Sequence, residues 1–266
     1  MIQFHVYPQG KRRAVTFGYD DGHKNDERLI ALFRKYGMKG TFFLNGGNYL
    51  HCTDEEAEAL RGLYKGQEVA CHTLLHGWCA RMPMQSVVTE VFEDRKILEA
   101  IFKTPVTGLS YPSGSYNEEV LRAVRACGIL YSRTTCSAGR CVLPDDFLAW
   151  HPACHHANAL PVCEKFLQGI DSEWEQPLLY IWGHSHEFRE ERDWEKIEEI
   201  LRMLSGNEKI WYATNLEIYN YTEAQKRLQI SADERMFYNP SAIPVWVEKN
   251  KQTVLEILPG QTLTLE

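Results

Sequence analysis

The chain has 266 residues, an apolar content of 44% and a formal net charge of −7. Its length suits one large α/β domain or two small ones, and its composition is typical of a soluble globular protein. The negative charge, with no Lys/Arg cluster beyond residues 11–13, argues against nucleic acid as a partner. No apolar run is long enough to span a membrane, which argues against a membrane partner. The N-terminus lacks the basic start and apolar core of a signal peptide, so we expect a cytoplasmic protein.

The eight cysteines do not favour a disulfide framework or a zinc–thiolate cluster. None of them forms a C-x-x-C pair, and no secretory signal precedes them. In a reducing compartment we therefore expect ordinary core or loop thiols.

Strand and helix patterns alternate along most of the chain. Runs of apolar, aromatic and β-branched residues predict strands at residues 15–19, 40–44, 67–71, 106–111, 129–134, 178–182 and 210–213. Apolar residues at helical spacing predict helices at residues 26–36, 54–64, 83–102, 118–127, 159–170, 193–204 and 215–228. Gly37 suits the C-terminal stop of the first helix, and Thr53 with Glu56 predicts a capping box on the second. This alternation favours a parallel sheet, either an incomplete (β/α) barrel or an open doubly wound sheet.

The last part of the chain follows a different pattern. Short antiparallel strands are predicted at residues 236–238, 245–247, 253–257 and 262–265. We therefore predict a barrel over residues 1–220 and a β-rich C-terminal extension, packed on the barrel, over residues 221–266. Residues 136–158 are less regular, and long irregular segments are often functional.

Two adjacent carboxylates, Asp20 and Asp21, follow the first predicted strand in V-T-F-G-Y-D-D-G. Neighbouring side chains of a strand point to opposite faces, so one carboxylate can bind a metal while the other handles a proton. The alternative is an Asp-Gly turn that carries two solvated acids.

Other polar residues also fall at the ends of predicted strands, where parallel α/β folds place their functional groups. His72 ends the third strand and opens H-T-L-L-H, and His184 ends the sixth. If residues 72–76 form one helical turn, the imidazoles of His72 and His76 face the same side. Two His and one Asp make a three-ligand metal site with positions left open for water and substrate.

Four segments together resemble a known family: Y-D-D-G at residues 19–22, H-T-L-L-H at 72–76, Y-P-S-G at 111–114 and W-G-H at 182–184. Over about residues 13–215 the chain resembles the polysaccharide deacetylases, the NodB-homology fold of carbohydrate esterase family four. The resemblance implies a distorted (β/α)7 barrel, one divalent metal ion, expected to be zinc, and hydrolysis of an N-acetyl or, less often, an O-acetyl group.

The resemblance also implies a role for each matching residue. Asp20 would be the general base and His184 the general acid. The metal ligands would be Asp21, His72 and His76. The backbone N–H of Ser113 would lie near the oxyanion.

Three departures from the family pattern affect these expectations. Ser110 stands where the family's third motif begins with an arginine that orients the base. We predict that Arg133, at the end of the next strand, takes over this task through a bidentate pair with Asp20. The alternative is that Arg133 binds substrate or caps its strand. The fourth motif is blurred into D-D-F-L-A-W at residues 145–150, and no leader is seen, which favours a small N-acyl compound over a polymer as substrate.

The segment W-H-P-A-C-H-H at residues 150–156 also contains candidate ligands. Cys154, His155 and His156 are a possible second metal site, but we favour the interpretation that they line the cleft. Trp182 is either an apolar wall near the acyl methyl group or plain core.

The sequence therefore predicts a hydrolase that removes an acetyl group from an N-acetylated sugar or a related amide. The first alternative is a cyclic amide hydrolase of the allantoinase-like branch of the same fold. That branch works without the metal triad, so the intact Asp21, His72 and His76 count against it. The second alternative is a catalytically silent protein that binds carbohydrate in the cleft, and the missing arginine of the third motif favours it.

Overall fold

Helices and parallel strands alternate through most of the chain in the computed structural model, which describes residues 2–169, 176–250 and 252–265. The helices are α1 (Asp26–Tyr36), α2 (Asp54–Leu63), α3 (Met84–Phe102), α4 (Glu118–Ala126), α5 (Ala159–Gln168), α6 (Glu191–Leu204) and α7 (Asn215–Lys226). The first nine strands are β1 (Ile2–Gln3), β2 (Arg13–Asp20), β3 (Gly40–Leu44), β4 (Glu68–Cys71), β5 (Gly108–Ser110), β6 (Tyr131–Arg133), β7 (Cys154–His155), β8 (Leu178–His184) and β9 (Ile210–Tyr212). The last five are β10 (Gln229–Ile230), β11 (Met236–Tyr238), β12 (Val245–Lys249), β13 (Thr253–Ile257) and β14 (Thr262–Thr264).

The central sheet is parallel and has β2 in its interior. Its strands follow the order β6-β5-β4-β3-β2-β8-β7, and β9 pairs with the first residues of β2. Every residue of β2 is buried, which explains its nearly continuous apolar run. The parallel pairing brings the carboxyl ends of the strands to one end of the sheet, where the candidate residues lie.

The segment at residues 150–155 connects the two edges of this sheet. Trp150 forms a parallel bridge with Arg133 of the edge strand β6, and the N–H of Ala153, just before the other edge strand β7, donates to the carbonyl of Tyr180 on β8. The sheet is therefore curved into an incomplete barrel, as the sequence predicts. The Trp150 side chain is fully buried between aromatic rings, so this part of the blurred fourth motif serves the core.

Most element boundaries agree with the sequence patterns. The bounds of α1 and β3 are those predicted, Gly37 caps α1 in a left-handed conformation, and Thr53 forms the predicted capping box with Glu56. The pattern missed β7, a short parallel strand inside the segment expected to be irregular. Ile170, the last residue of the predicted fifth helix, lies outside the described residues.

The antiparallel strands near the C-terminus form two small sheets, in the orders β1-β12-β13 and β10-β11-β14. The N-terminus thus joins the C-terminal extension, and an ion pair between Arg12 and Glu248 adds to this contact. Helix α7 crosses the predicted boundary at residues 220–221, and that division of the chain stays a prediction. All eight cysteines are free. Among the described residues, no helix has the length and apolar character needed to cross a membrane.

Candidate active site

Asp20 and Asp21 lie at the carboxyl end of β2 but have different surroundings. Asp20 is buried, whereas the side chain of Asp21 is 30% exposed. The chain turns at Asp21 (φ 77°) and Gly22 (φ 64°), both in the left-handed region. A Cβ at Gly22 would approach Leu44 Cδ2 at 2.8 Å, so glycine suits this turn. The turn separates the two carboxylates, and each has its own partners.

The side chain of Asp21 lies beside two imidazoles. Asp21 Oδ1 is 3.4 Å from His72 Nε2 and 3.6 Å from His76 Nε2, so three possible metal-ligand atoms lie close together. In a tetrahedral zinc site with bonds of about 2.0–2.1 Å, neighbouring ligand atoms lie about 3.3–3.4 Å apart. The chemistry and the spacing of this donor set therefore fit a divalent metal ion.

Residues 72–76 do not form a helical turn, so that expectation from the sequence is wrong. Thr73 (φ 60°) and His76 (φ 58°) are left-handed, and the chain folds back between them. Long-range bonds impose this shape: Asn45 Nδ2 donates to the carbonyls of His72 and Thr73, and Glu90 of α3 accepts from the N–H of Leu74 and Leu75. The two imidazole rings nevertheless lie 4.9 Å apart, so the loop achieves the proximity that the spacing suggested.

Hydrogen bonds fix the orientation of the His72 ring. Its Nδ1 lies 2.8 Å from the carbonyl oxygen of Ser110, which assigns the proton to Nδ1 and leaves Nε2 free. Burial lowers the pKa of His72, which favours the neutral form that a metal ligand needs. The buried carboxylate of Asp94 holds the backbone by accepting from the N–H groups of Gly46 (2.5 Å) and His72 (3.0 Å).

Asp20 contacts Arg133, which lies on β6 beside Ser110 of β5 in the strand register. Arg133 Nη2 donates both to Asp20 Oδ2 and to Ser110 Oγ, and the hydroxyl of Ser110 donates to the same Asp20 oxygen at an O···O distance of 3.1 Å. Arg133 is fully buried, and its guanidinium lies 4.3 Å from the ring centroid of Trp182. The expectation of a bidentate pair is wrong, because one nitrogen contacts one oxygen and Nη1 donates to the carbonyl of Thr134.

This environment keeps Asp20 ionised and leaves one of its oxygens free. Burial by itself raises the pKa of Asp20, but the charge of Arg133, with His72 and His184, outweighs it and lowers the pKa. Asp20 Oδ1 is buried and has no hydrogen-bond partner within the described part of the chain. A buried carboxylate oxygen without a partner is available to a water or a proton.

His184 stands beside Asp20 in the register of β2 with β8. Its Nε2 lies 4.0 Å from Asp20 Oδ2, and its Nδ1 lies 3.2 Å from Glu187 Oε1. Burial opposes protonation, but the hydrogen bond to Glu187 and the charge of Asp20 outweigh it and raise the pKa of His184. Glu187 was not among the residues singled out from the sequence, although its position three residues after His184 was an available signal.

The remaining candidates lie at the same end of the sheet or in the core. Ser113 is exposed in a short turn after β5 and has a left-handed φ of 54°. Cys154 packs in the core and is not grouped with His155 and His156, so the second metal site with these three ligands is wrong. Instead, His155 and His156 approach Glu187.

Two further histidines, His23 and His186, also border the cleft. His186 Nδ1 lies 3.7 Å from Asp21 Oδ2, and its ring is 6.1 Å from that of His23. Asn25, in the loop after β2, donates from Nδ2 to the carbonyls of Ser185 and Phe188, which follow β8. These two hydrogen bonds link the loop after β2 to the segment after β8.

The chain is similar in sequence to proteins of a known family. The polysaccharide deacetylase family model matches residues 8–132. YxkH of Bacillus subtilis, described as a polysaccharide deacetylase, is 31% identical over 127 residues, which are 46% of this chain and 45% of that protein. The chain spans less than half of the length of the curated relatives that it matches.

Solved structures share the fold at low sequence identity. A Mycobacterium smegmatis protein described as a polysaccharide deacetylase has a TM-score of 0.64 at 17% identity, covering 83% of this chain and 93% of that one. A family 4 carbohydrate esterase pseudoenzyme of Bacillus anthracis has a TM-score of 0.52 at 16% identity, covering 80% of this chain and 66% of that one. The predicted resemblance to the polysaccharide deacetylase family, and its fold of a parallel sheet curved into a partial barrel with extra antiparallel strands at the C-terminus, are therefore confirmed.

Proposed function

We propose that this protein is a metal-dependent hydrolase that removes an acetyl group from an N-acetylated sugar or a related amide. One observation carries the proposal. A group of three possible ligand atoms, a buried carboxylate oxygen without a partner among the described residues and an imidazole meet at the carboxyl ends of neighbouring strands. Amide hydrolysis requires a nucleophilic water, a stabilised oxyanion and a proton for the leaving amine.

In this proposal Asp21 Oδ1, His72 Nε2 and His76 Nε2 hold one divalent ion. Two imidazoles and one carboxylate are typical ligands of catalytic zinc, so zinc is the ion that we propose. When bound, such an ion polarises the acetyl carbonyl and lowers the pKa of water. The side chain of His76 is 44% exposed and that of Asp21 30%, so the group is open to solvent and substrate.

The protein's own residues handle the protons. Asp20 accepts a proton at Oδ1, while Arg133 and Ser110 hold its other oxygen. His184 donates a proton from Nε2 to the leaving nitrogen, and the upward shift of its pKa favours the protonated form that an acid needs. The backbone N–H of Ser113 is proposed to lie near the acetyl oxygen.

The contact between Arg133 and Asp20 bears on the catalytically silent alternative. The missing arginine of the third motif favoured that alternative, but the guanidinium of Arg133 reaches Asp20 from the adjacent strand. The group of three possible ligand atoms counts against a cyclic amide hydrolase that works without a metal. A small N-acyl compound remains the substrate that we propose over a polymer.

The proposed activity is tested by acetate release from a panel of N-acetylated sugars and small N-acetyl amides. We expect release by the zinc-loaded protein, its loss after chelation and its recovery when zinc is added back. A metal-loaded protein that binds these sugars without releasing acetate would support the silent alternative.

We predict one divalent ion per chain, and its loss in His72→Ala while the fold survives. The substitution removes the most buried of the three ligands. Metal content by mass spectrometry, with circular dichroism for the fold, measures this, and His51→Ala, at an exposed position, is the control. Equal metal content in the two variants would show that His72 is not a ligand.

His184→Ala should slow the hydrolysis of amides more than that of activated esters. An amine is a poor leaving group without a proton, whereas an activated alkoxide leaves more readily. The two rates are measured on an N-acetyl and an O-acetyl compound with the same ring. If both rates fall by the same factor, His184 is not the acid.

A further inference from the structure

Glu187 lies where three imidazoles meet, outside the proposed metal site. Its Oε2 is 3.0 Å from both His155 Nε2 and His156 Nε2, and its Oε1 is 3.2 Å from His184 Nδ1. The pairing of β7 with β8 places His155 beside Trp182, which brings residues 155 and 156 next to the turn that carries Glu187. Neither the proposed base nor the proposed metal ligands account for this cluster.

Proton placement distinguishes a hydrogen-bonded cluster from a second metal site. The N–H of Ala157 donates to His155 Nδ1 at 3.3 Å, so in a neutral His155 the ring proton is on Nε2 and faces Glu187. A metal on His155 Nε2 would instead require a proton on Nδ1, directed at the N–H of Ala157. The hydrogen bond from Ala157 therefore favours an imidazole that donates to Glu187.

His156 is held as a neutral ring by its packing. It stacks on Tyr19 and Phe188, with ring centroids 5.8 Å and 4.7 Å away, and burial lowers its pKa. Its Nδ1 is buried and has no partner among the residues that the structure describes, and Glu187 Oε2, 3.0 Å from His156 Nε2, is likewise buried without an aligned hydrogen bond among them. An unfilled buried acceptor is more common than an unfilled buried N–H, so the proton belongs on Nε2, towards Glu187.

Gly183 makes room for this ring. A Cβ at Gly183 would overlap His156 Nδ1, so the glycine of W-G-H lets His156 pack against β8. The position of His156 is therefore built into the strand that carries His184.

The neighbouring imidazoles keep Glu187 ionised. Burial by itself raises the pKa of Glu187, but the contacts with His155, His156 and His184 outweigh it and hold the pKa well below its usual range. The carboxylate can then accept from Nδ1–H of His184. That tautomer directs Nε2 of His184 towards Asp20 and the cleft.

We propose that His155 and His156 are positioning residues, which hold the Glu187 carboxylate so that it orients His184 for proton donation. The proposal rests on the assignment of His184 as the acid in the proposed function. Other groups also face His184: Asp20 from β2, Asp21 from the following loop, His155 and His156 from β7 and its following turn, and His186 and Glu187 from its own turn.

The test uses His156→Phe, which retains an aromatic ring between Tyr19 and Phe188 but removes the donor to Glu187. Glu187→Gln removes the charge itself, and His51→Phe, at an exposed position, is the control. Nitrogen-15 NMR of the histidine rings in the full-length protein reports the tautomer and the titration of His184. We expect Nδ1–H in the wild type and a lower pKa of His184 in both cluster variants.

The same variants are compared by their pH–rate profiles. His184 must be protonated to act, so a lower pKa moves the basic limb of kcat/KM to lower pH. We expect Glu187→Gln to lose less than the roughly 10²–10⁴-fold contribution of an acid, and His156→Phe to lose less than Glu187→Gln.

Two outcomes would overturn the proposal. If the His184 signals and the profile of His156→Phe match those of His51→Phe, the pair only packs against Glu187. If the wild type binds a second equivalent of zinc that His156→Phe loses, the cluster is a metal site. The NMR readout needs no substrate, so it tests this proposal even if the protein releases no acetate.

Discussion

Asp20→Asn should retain the metal ion and lose about 10²–10⁴-fold in the rate of acetate release. Proton transfer by a placed side chain contributes on this order, and an amide cannot take the proton that Asp20 Oδ1 accepts. The amide retains the shape of the carboxylate and a carbonyl oxygen for Arg133 and Ser110. Single-turnover rates and metal content measure the two effects separately.

The matched control is Asp145→Asn, which changes an exposed carboxylate in the blurred fourth motif. We expect wild-type rates from it. An Asp20→Asn protein within ten-fold of this control, with its metal bound, would exclude Asp20 as the base. Loss of the metal in Asp20→Asn would instead make Asp20 a ligand.

Arg133→Met should reduce both turnover and stability, and move the acidic limb of the pH–rate profile to higher pH. Arg133 is the main group that lowers the pKa of Asp20 against the effect of burial. Without Arg133, burial dominates and Asp20 takes up a proton at higher pH, which inactivates it as a base. Breaking a buried ion pair by removing one partner also costs about 3–5 kcal/mol in the free energy of unfolding.

The sign of the pH effect on stability follows from the same contact. In the wild type the lowered pKa of Asp20 contributes stability above the pKa of the unfolded chain, and this contribution is lost as pH falls through the folded pKa. In Arg133→Met the Asp20 carboxylate is buried without a paired cation, which lowers the free energy of unfolding. Protonation of Asp20 removes the buried charge and therefore removes this cost. The difference in Tm between the two proteins should therefore be largest near neutral pH and shrink on acidification.

Arg133→Lys and Arg122→Met serve as comparisons. The lysine retains a charge but lacks the planar fork that contacts Asp20, Ser110 and Thr134 together, so we expect an intermediate loss. Arg122 is an exposed arginine of α4, and its substitution should have no effect on the profile. A raised KM with an unchanged acidic limb in Arg133→Met would make Arg133 a substrate-binding group.

Elements governed by short-range interactions could be predicted from the sequence. The capping box of Thr53 and Glu56 and the left-handed stop at Gly37 use partners within a few residues. The apolar run of β2 identifies a strand buried on both faces. The end of that run also predicts that Asp20 and Asp21 lie at the carboxyl end of the strand.

The predictions failed where distant partners decide the backbone. A spacing of four residues between His72 and His76 is compatible with a helical turn. Hydrogen bonds with Asn45 and Glu90 instead hold this loop in a non-helical conformation. Glu187 acquired His155 and His156 as neighbours only through the pairing of β7 with β8. No periodic pattern in residues 150–156 indicated that Trp150 joins the sheet edges while His155 and His156 approach Glu187.

By itself, the sequence determined which residues are candidates for the site and that they lie at strand ends, because periodicity and motif spacing are local properties of the chain. Only the tertiary structure decided which of these residues meet. The register of β5 with β6 sets Arg133 beside Ser110, and that of β2 with β8 sets His184 beside Asp20. Such registers depend on packing across the whole sheet, so the pairing of Asp20 with Arg133, and the approach of His184 to Asp20, are properties of the fold.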